Sequence, residues 1–542
     1  MEKTPLWYKD AIFYELYVRA FRDSNGDGHG DLRGAIEKLD YLQDLGVNCI
    51  WLLPIFPSPL LDDGYDVADF YDIHPDYGSL DDFKNLIKQA HRRSIRVITD
   101  LVLNHTSSRH PWFQAARVDK KSPYRDYYVW SDSKEKYPGA RIIFLDTEES
   151  NWAWDDIAQQ YYWHRFYSSQ PDLNYDNPEV QKEMLKVMGF WMGLGIDGFR
   201  VDAIPYLFER EGTNCENLPE THAFLKKVRR FVDDHFPDSI LLSEANQWPE
   251  EVRAYFGDGD EMHMAFHFPV MPRLFMSLRR ESSNPIRRIL KRTPPIPENC
   301  QWCTFLRNHD ELTLEMVTEV DRHWMWEQYA SEPRMRQNLG IRRRLAPLLD
   351  NNFEKILLAN SLLFTLPGSP IIYYGDEIGM GDHIWLNDRD GIRTPMQWNK
   401  EKNAGFSEAD NTYSPVISTP PYAPEQVNVA DQKADLASLY YMTKNMIAVR
   451  KTHRAFGWGD FEWAETTKPK EVAAYFRRYQ GEVLLILNNL SSRKQDIAVQ
   501  VHQENLFFPP PNLFTGKATG KLENGDLYLE LPPLGYQWLK LA

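Results

Sequence analysis
Short apolar runs rich in β-branched and aromatic residues recur along the chain up to residue 452, and helical patterns separate most of them. Runs at 12–21, 47–54, 96–103, 198–203, 240–245, 262–268, 302–308 and 370–377 read as strands; 34–45, 80–93, 178–194 and 218–235 read as helices. This alternation leaves few folds open. Parallel strands need crossover connections, and eight such units close into a (β/α)8 TIM barrel. Barrels of this kind carry their chemistry at the C-terminal ends of the strands, so a polar residue that closes an apolar run carries most information.

Two spacings break the rhythm. The chain between the third and fourth runs far exceeds one helix, and 105–172 is rich in Trp, Tyr, Ser and Asp. Loops of that length are functional or form their own unit, which predicts an inserted lid subdomain over 105–172. A second insertion, 311–349, follows the seventh run; it is charged, Arg-rich and helical in pattern. The catalytic barrel is then 1–104 with 173–452, and includes 311–349. Beyond 453 the pattern alternates at 471–479, 482–489, 495–501, 521–531 and 535–542, with a turn at Asn524-Gly525-Asp526. That predicts a C-terminal antiparallel β-sandwich domain over 453–542.

The fourth run ends Gly198-Phe199-Arg200-Val201-Asp202-Ala203. Residues i and i+2 of a strand share a face, so Arg200 and Asp202 point the same way. A guanidinium beside a carboxylate keeps it ionised and in place, as a nucleophile must be. Asp100-Leu101-Val102-Leu103-Asn104-His105 ends the third run, Glu244 the fifth, and Asn308-His309-Asp310 the seventh. Asp202, Glu244 and Asp310 therefore share one barrel mouth, a cluster costly to assemble without a use. Like charges held close push their pKa values apart, which yields the acid and nucleophile of a retaining glycosidase. After the second run, Asp62-Asp63-Gly64-Tyr65-Asp66 adds carboxylates and a stacking ring.

After the first run, Asp23, Asn25, Asp27, His29 and Asp31 alternate around Gly28, an oxygen-rich spacing suited to a structural Ca²⁺ loop. Gly34 stands where an EF-hand keeps its bidentate Glu, so the loop is looser than that pattern. A net charge of −16 argues against nucleic acid or an anionic membrane as partner. No apolar run is long enough to span a bilayer, and the start Met1–Trp7 lacks the parts of a signal peptide. Four cysteines suit a reducing compartment, hence a cytoplasmic protein. Cys300 and Cys303 would face opposite sides of a strand, so their C-x-x-C reads as packing thiols.

In this order, the D-x-x-x-N-H, G-F-R-V-D-A, isolated Glu and N-H-D motifs resemble the four signature regions of the α-amylase superfamily of glycoside hydrolases. The resemblance runs from Tyr8 to the C-terminus. It implies Asp202 as nucleophile, Glu244 as general acid/base and Asp310 as transition-state stabiliser, with Arg200, His105 and His309 holding the sugar. Gln170-Pro171-Asp172-Leu173-Asn174 is similar to the fifth region of the α-glucosidase and trehalose synthase branch. Asp62 with Arg393 is similar to an ion pair that closes the pocket behind the non-reducing glucose. Phe144 and Phe166 fall where the branch keeps aromatic walls. Tyr65, Gln170 and Glu311 complete the substrate-binding set, with Tyr206, Glu311 and Glu315 as gate residues.

Segments 338–349 and 366–382 are similar to trehalose synthases in particular, a family that interconverts maltose and trehalose. That likeness implies a disaccharide substrate, intramolecular glucosyl transfer with minor hydrolysis, and no organic cofactor. It also implies a second Ca²⁺ site at Asn104, Asp172, Glu209 and the backbone of Tyr206 and Leu207, and it is compatible with a homo-oligomer. An α-glucosidase or oligo-1,6-glucosidase shares every catalytic residue. What separates the two is a cavity that keeps water out.

Overall fold
The computed structural model describes residues 6–501, 507 and 509–542. The first five residues, part of the start read above as leaderless, lie outside the described residues. Eight parallel strands close a barrel: β1 (Phe13–Leu16), β2 (Cys49–Leu52), β3 (Arg96–Val102), β4 (Gly198–Asp202), β5 (Ile240–Ser243), β6 (Met264–Phe266), β7 (Gln301–Phe305) and β8 (Ser369–Tyr373). Neighbours follow chain order around the ring, and β8 returns to pair with β1 at Phe13↔Ile371. Every residue of the eight strands is buried, which is why they read as continuous apolar runs and not as alternating ones. The register sets Asp100 beside Arg200 and Val102 beside Asp202, so two acids and a base meet across β3 and β4. Gly198 opens β4 at φ 148°, where a Cβ would come within 2.2 Å of the Ile240 carbonyl oxygen; β4 and β5 can pair here only without a side chain.

The run at 12–21 splits into β1 and a helical turn, Val18–Phe21. The helix expected over 34–45 breaks at Lys38 into Leu32–Glu37 and Leu39–Leu45; Asp31 caps the first by accepting from the Gly34 N–H. Within 105–172 lie a helix, Pro111–Val118, and a small antiparallel sheet of Trp130–Ser131, Gln160–Trp163 and Trp152–Asp155. Its core is aromatic: Phe113 stacks on Trp130 at 5.6 Å and meets Tyr162 edge-on at 5.1 Å. The insertion after β7 is only partly helical, a correction to its reading from sequence. A helix, Glu319–Tyr329, gives way to a hairpin pairing Arg336–Gln337 with Gly340–Ile341. Its arginines are spent on distant carbonyls: Arg342 donates to Ile384 and Leu386, and Arg344 to Tyr374. Such tertiary partners override helix propensity.

The C-terminal part stacks two antiparallel sheets. One holds Asp460–Trp463, Val472–Tyr479, Glu482–Asn489 and Tyr536–Lys540; the other holds Gln495–Gln500, Asp526–Leu531 and Lys521–Glu523. The first strand of this pair of sheets was not foreseen, and the run at 521–531 folds back as a hairpin because Asn524 and Gly525 both take positive φ. A separate core of Leu485, Leu487, Val499 and Leu527 fills the sandwich. Ser361, on the helix Phe353–Thr365, ties it to the barrel by donating to Asn488 at 2.6 Å and accepting from Trp538 at 2.9 Å. Among the described residues, no helix is long and apolar enough to cross a membrane. All four cysteines are buried and free.

Candidate active site
The strand-end acids converge on one guanidinium. Arg200, fully buried in β4, donates to Asp100 at 2.6 Å and Asp202 at 2.5 Å, and pairs with Glu244 at 2.8 Å. Ala203, just past the strand, adopts the left-handed conformation (φ 50°, ψ 34°) and aims its N–H at Glu244 Oε2, 3.1 Å away. Burial raises Asp202 to about 6, with Arg200 pulling it back, and raises Glu244 to about 8, reinforced by Asp202 and Asp310. Burial would raise Asp310 too, but His309, Arg389 and Arg393 outweigh it and hold this carboxyl well below the usual range. At neutral pH the three acids thus divide into an ionised pair and a protonated one. That is the protonation pattern a double displacement requires.

These acids face one cavity at the barrel mouth. Asp62, Tyr65, His105, Phe144, Phe166, Tyr206, Glu311 and Glu315 line it with the three acids. Burial lowers His105 to about 3, so its ring is neutral, and leaves its Nε2 without a protein partner. Ile143, Asn246, Phe268, Asn308, Thr313 and Arg389 also line the cavity, and none was singled out as a site residue from sequence. The two insertions meet over it. Arg141 of the first donates to Glu315 of the second at 2.6 Å, and also to Glu216 and Tyr206. Asn338 N–H donates to Asp146 at 2.7 Å, while its amide reaches Glu311 at 3.2 Å. Gly340 backs Glu311 so closely that a Cβ would lie 2.4 Å from its side chain.

One expected pairing is wrong. Asp62 does not pair with Arg393: its ion pair is to Arg389, at 2.5 Å, and Gln170 donates to its other oxygen at 2.9 Å. Arg393 instead binds Asp63 at 2.6 Å and Asp310 at 3.1 Å. Arg389 bridges Asp62 and Asp310, 2.7 Å from the latter, so it, and not Arg393, is the partner of Asp62 in the cavity wall. Two arginines spaced by four residues were visible there, but spacing does not say which one turns inward. Gln170, Arg200, His309 and Arg393 stand behind the cavity wall and orient the acids that line it. His309 links Glu15, at 2.6 Å, to Asp310, at 3.0 Å; Tyr65 O–H lies 2.9 Å from its Nε2. Glu15 was not foreseen, because it lies inside an apolar strand.

The two ion sites differ. In the loop after β1, Asp23 accepts from Asn25, Gly26, Gly28 and Ser407, and Asp31 from Ser24 and Gly34. Asn25 and Asp27 accept from the N–H groups of Asp27 and His29, and the His29 ring stacks on Tyr413. This loop closes on itself, so only its spacing argues for an ion. Among the described residues, no three His, Cys, Asp or Glu side chains form a metal-holding group. The second set is different in kind: two acids, an amide and backbone carbonyls. Asn104 Oδ1, Asp172 Oδ2 and Glu209 Oε1 are buried without hydrogen-bond partners. Burial raises Asp172 to about 8 and Glu209 well above its usual range, and each acid feels its neighbours' charge. The carbonyls of Tyr206 and Leu207 belong to the turn beginning at Ile204–Tyr206. Partnerless buried oxygens are what a hard cation with oxygen ligands relieves.

Residues 15–459 match the family model "Alpha amylase, catalytic domain". The chain is 57% identical to a trehalose synthase/amylase, TreS, of Mycobacterium tuberculosis, over 99% of this chain and 91% of that one. It is 54% identical to a trehalose synthase of Pimelobacter sp., over 99% and 96%. Among solved structures, the trehalulose synthase MutB of Pseudomonas mesoacidophila MX-45 superposes with a TM-score of 0.79 at 26% identity, covering 99% of each chain.

Proposed function
Because the chain belongs to the α-amylase family, we propose that it isomerises maltose to trehalose by moving one glucosyl unit within a closed cavity. Asp202 attacks the anomeric carbon of the non-reducing glucose while Glu244 protonates the departing O4. A β-linked glucosyl-enzyme forms. The freed glucose turns, and its anomeric hydroxyl attacks with Glu244 as base; two inversions give the α,α-1,1 bond. Asp310, anchored by Arg389 and Arg393, keeps its charge for the oxocarbenium-like transition state. Arg200 holds nucleophile and acid on one planar group, so their relative placement survives the turnover. The Asp62–Arg389 pair, with Phe144 beside it, walls the far end and favours a disaccharide over a polymer.

The observation that carries this reading over hydrolysis is the Arg141–Glu315 clasp between the two insertions. A trapped glucose competes with water only if its effective concentration is high and water is excluded. Asn104, Asp172 and Glu209 with the carbonyls of Tyr206 and Leu207 would hold Ca²⁺, and Asp23, Asn25, Asp27, His29 and Asp31 are the lesser candidate set. Such an ion supplies charge balance and rigidity behind His105. Incubation with maltose, resolved by chromatography over time, tests the whole. Trehalose as the main product supports isomerisation; two glucose per maltose consumed makes the enzyme an α-glucosidase.

A further inference from the structure
Glu15 is a carboxylate with no exposed surface, in the middle of a barrel strand. Isolated burial of a charge is prohibitive, so its partners define its purpose. Its Oε1 accepts from both the backbone N–H and the ring Nδ1 of His309, at 3.1 and 2.6 Å, while Oε2 has no partner. On the other side of the ring, Nε2 lies 3.0 Å from Asp310 Oδ2 and 2.9 Å from the Tyr65 hydroxyl. A neutral imidazole turns a lone pair toward one of its two carboxylates. Only the doubly protonated ring satisfies both. Trp51 packs edge-on against it at 5.8 Å, and its own N–H is committed to Asp100.

We propose that Glu15 is a positioning residue that keeps His309 a fixed cation behind the cavity wall, so that Asp310, which lines the cavity, is held ionised. This inference rests on the reading above for the sugar, but the charge on His309 stands independently of it. The groups around the ring are Glu15 from β1, Tyr65 from the loop after β2, Asp100 from β3, Asp310 beside it, and Arg393, whose Nε donates to the His309 carbonyl. Arg307, Tyr373 and Asp376 are within electrostatic reach of Glu15 from behind. Two anions thus touch the ring directly, and the cations touch its backbone or stand further off. Consistently, the contacts to Asp310 and Glu15 overcome burial and raise His309 to about 9.

Glu15→Gln keeps a hydrogen-bond acceptor on Nδ1 and removes only the charge, which makes it the discriminating variant. In protein labelled with ¹⁵N-histidine, the His309 ring signals, assigned by their loss in His309→Asn, are followed against pH. The wild type is expected to show imidazolium at pH 7.5, and Glu15→Gln to lower the midpoint by about one to three pH units. With maltose, Glu15→Gln is expected to lose roughly tenfold to hundredfold in kcat at little change in KM, while Glu15→Asp retains the imidazolium. A neutral ring in the wild type at pH 7.5, or identical midpoints in wild type and Glu15→Gln, overturns the proposal. If Glu15→Gln does not fold, the wild-type midpoint and that of Glu15→Asp decide alone. If the wild type makes no trehalose but His309 is charged, the isomerase reading falls and the role of Glu15 stands.

Discussion

At the scale of residues, the site is a chain of charges in which each group sets the state of the next. In the proposed roles, Asp202, raised to about 6, must be ionised to attack, and Glu244, raised to about 8, must be protonated to donate. The rate at limiting substrate is therefore expected to fall below about pH 6, as Asp202 gains a proton, and above about pH 8, as Glu244 loses one. A kcat/KM profile with both limbs tests this, and an alkaline limb that persists in Glu244→Gln would contradict the assignment of Glu244. Asp202→Asn is expected to cost on the order of 10⁴-fold or more in turnover with the fold intact, since an amide cannot form the glucosyl ester. Substantial residual activity would remove Asp202 from that role. Arg389→Ala is expected to raise KM for maltose more than Arg393→Ala does, because Arg389 lines the cavity and Arg393 stands behind it. Titrating initial rates for both variants checks the order. That Asp202, Glu244 and Asp310 share one cavity was legible because each closes an apolar run. Glu15 and Arg389 were not, because one hides within a strand and the other lies in a loop with no regular pattern.

At the scale of elements, the two insertions meet over the cavity through a small number of polar contacts. Arg141 reaches Glu315, Glu216 and Tyr206 from one side, and Asn338 reaches Asp146 and Glu311 from the other. Arg141→Ala is expected to loosen the clasp and raise the share of glucose among products from maltose severalfold, with trehalose falling in step. Gly340→Ala acts on the same wall by another route, since its methyl would displace Glu311 and the Leu312 carbonyl. Product ratios by chromatography test both, and an unchanged ratio in both variants would separate closure from product choice. The inserted segment 105–172, with its own helix and small sheet, announced itself by length and composition. The hairpin within 311–349 did not, because Arg342 finds its carbonyl partners at Ile384 and Leu386, outside the segment.

For the molecule as a whole, Asn104, Asp172 and Glu209 leave buried oxygens without partners where the barrel meets the first insertion. Calcium binding there is expected to raise Tm by on the order of 2 °C or more at a hundredfold excess over Kd, and chelation to lower it. Asp172→Asn with Glu209→Gln should erase that response. A Tm indifferent to calcium in the wild type would dismiss the site. The sequence by itself determined the eight strands, because fully buried strands cannot avoid being apolar runs, and it determined the three acids, because a barrel offers its strand ends to the site. Only the tertiary structure decided which arginine pairs with Asp62, where His309 takes its charge from, and how the insertions meet over the cavity. Most of those contacts join residues far apart in the chain, and their energies depend on distance and burial that no local pattern encodes.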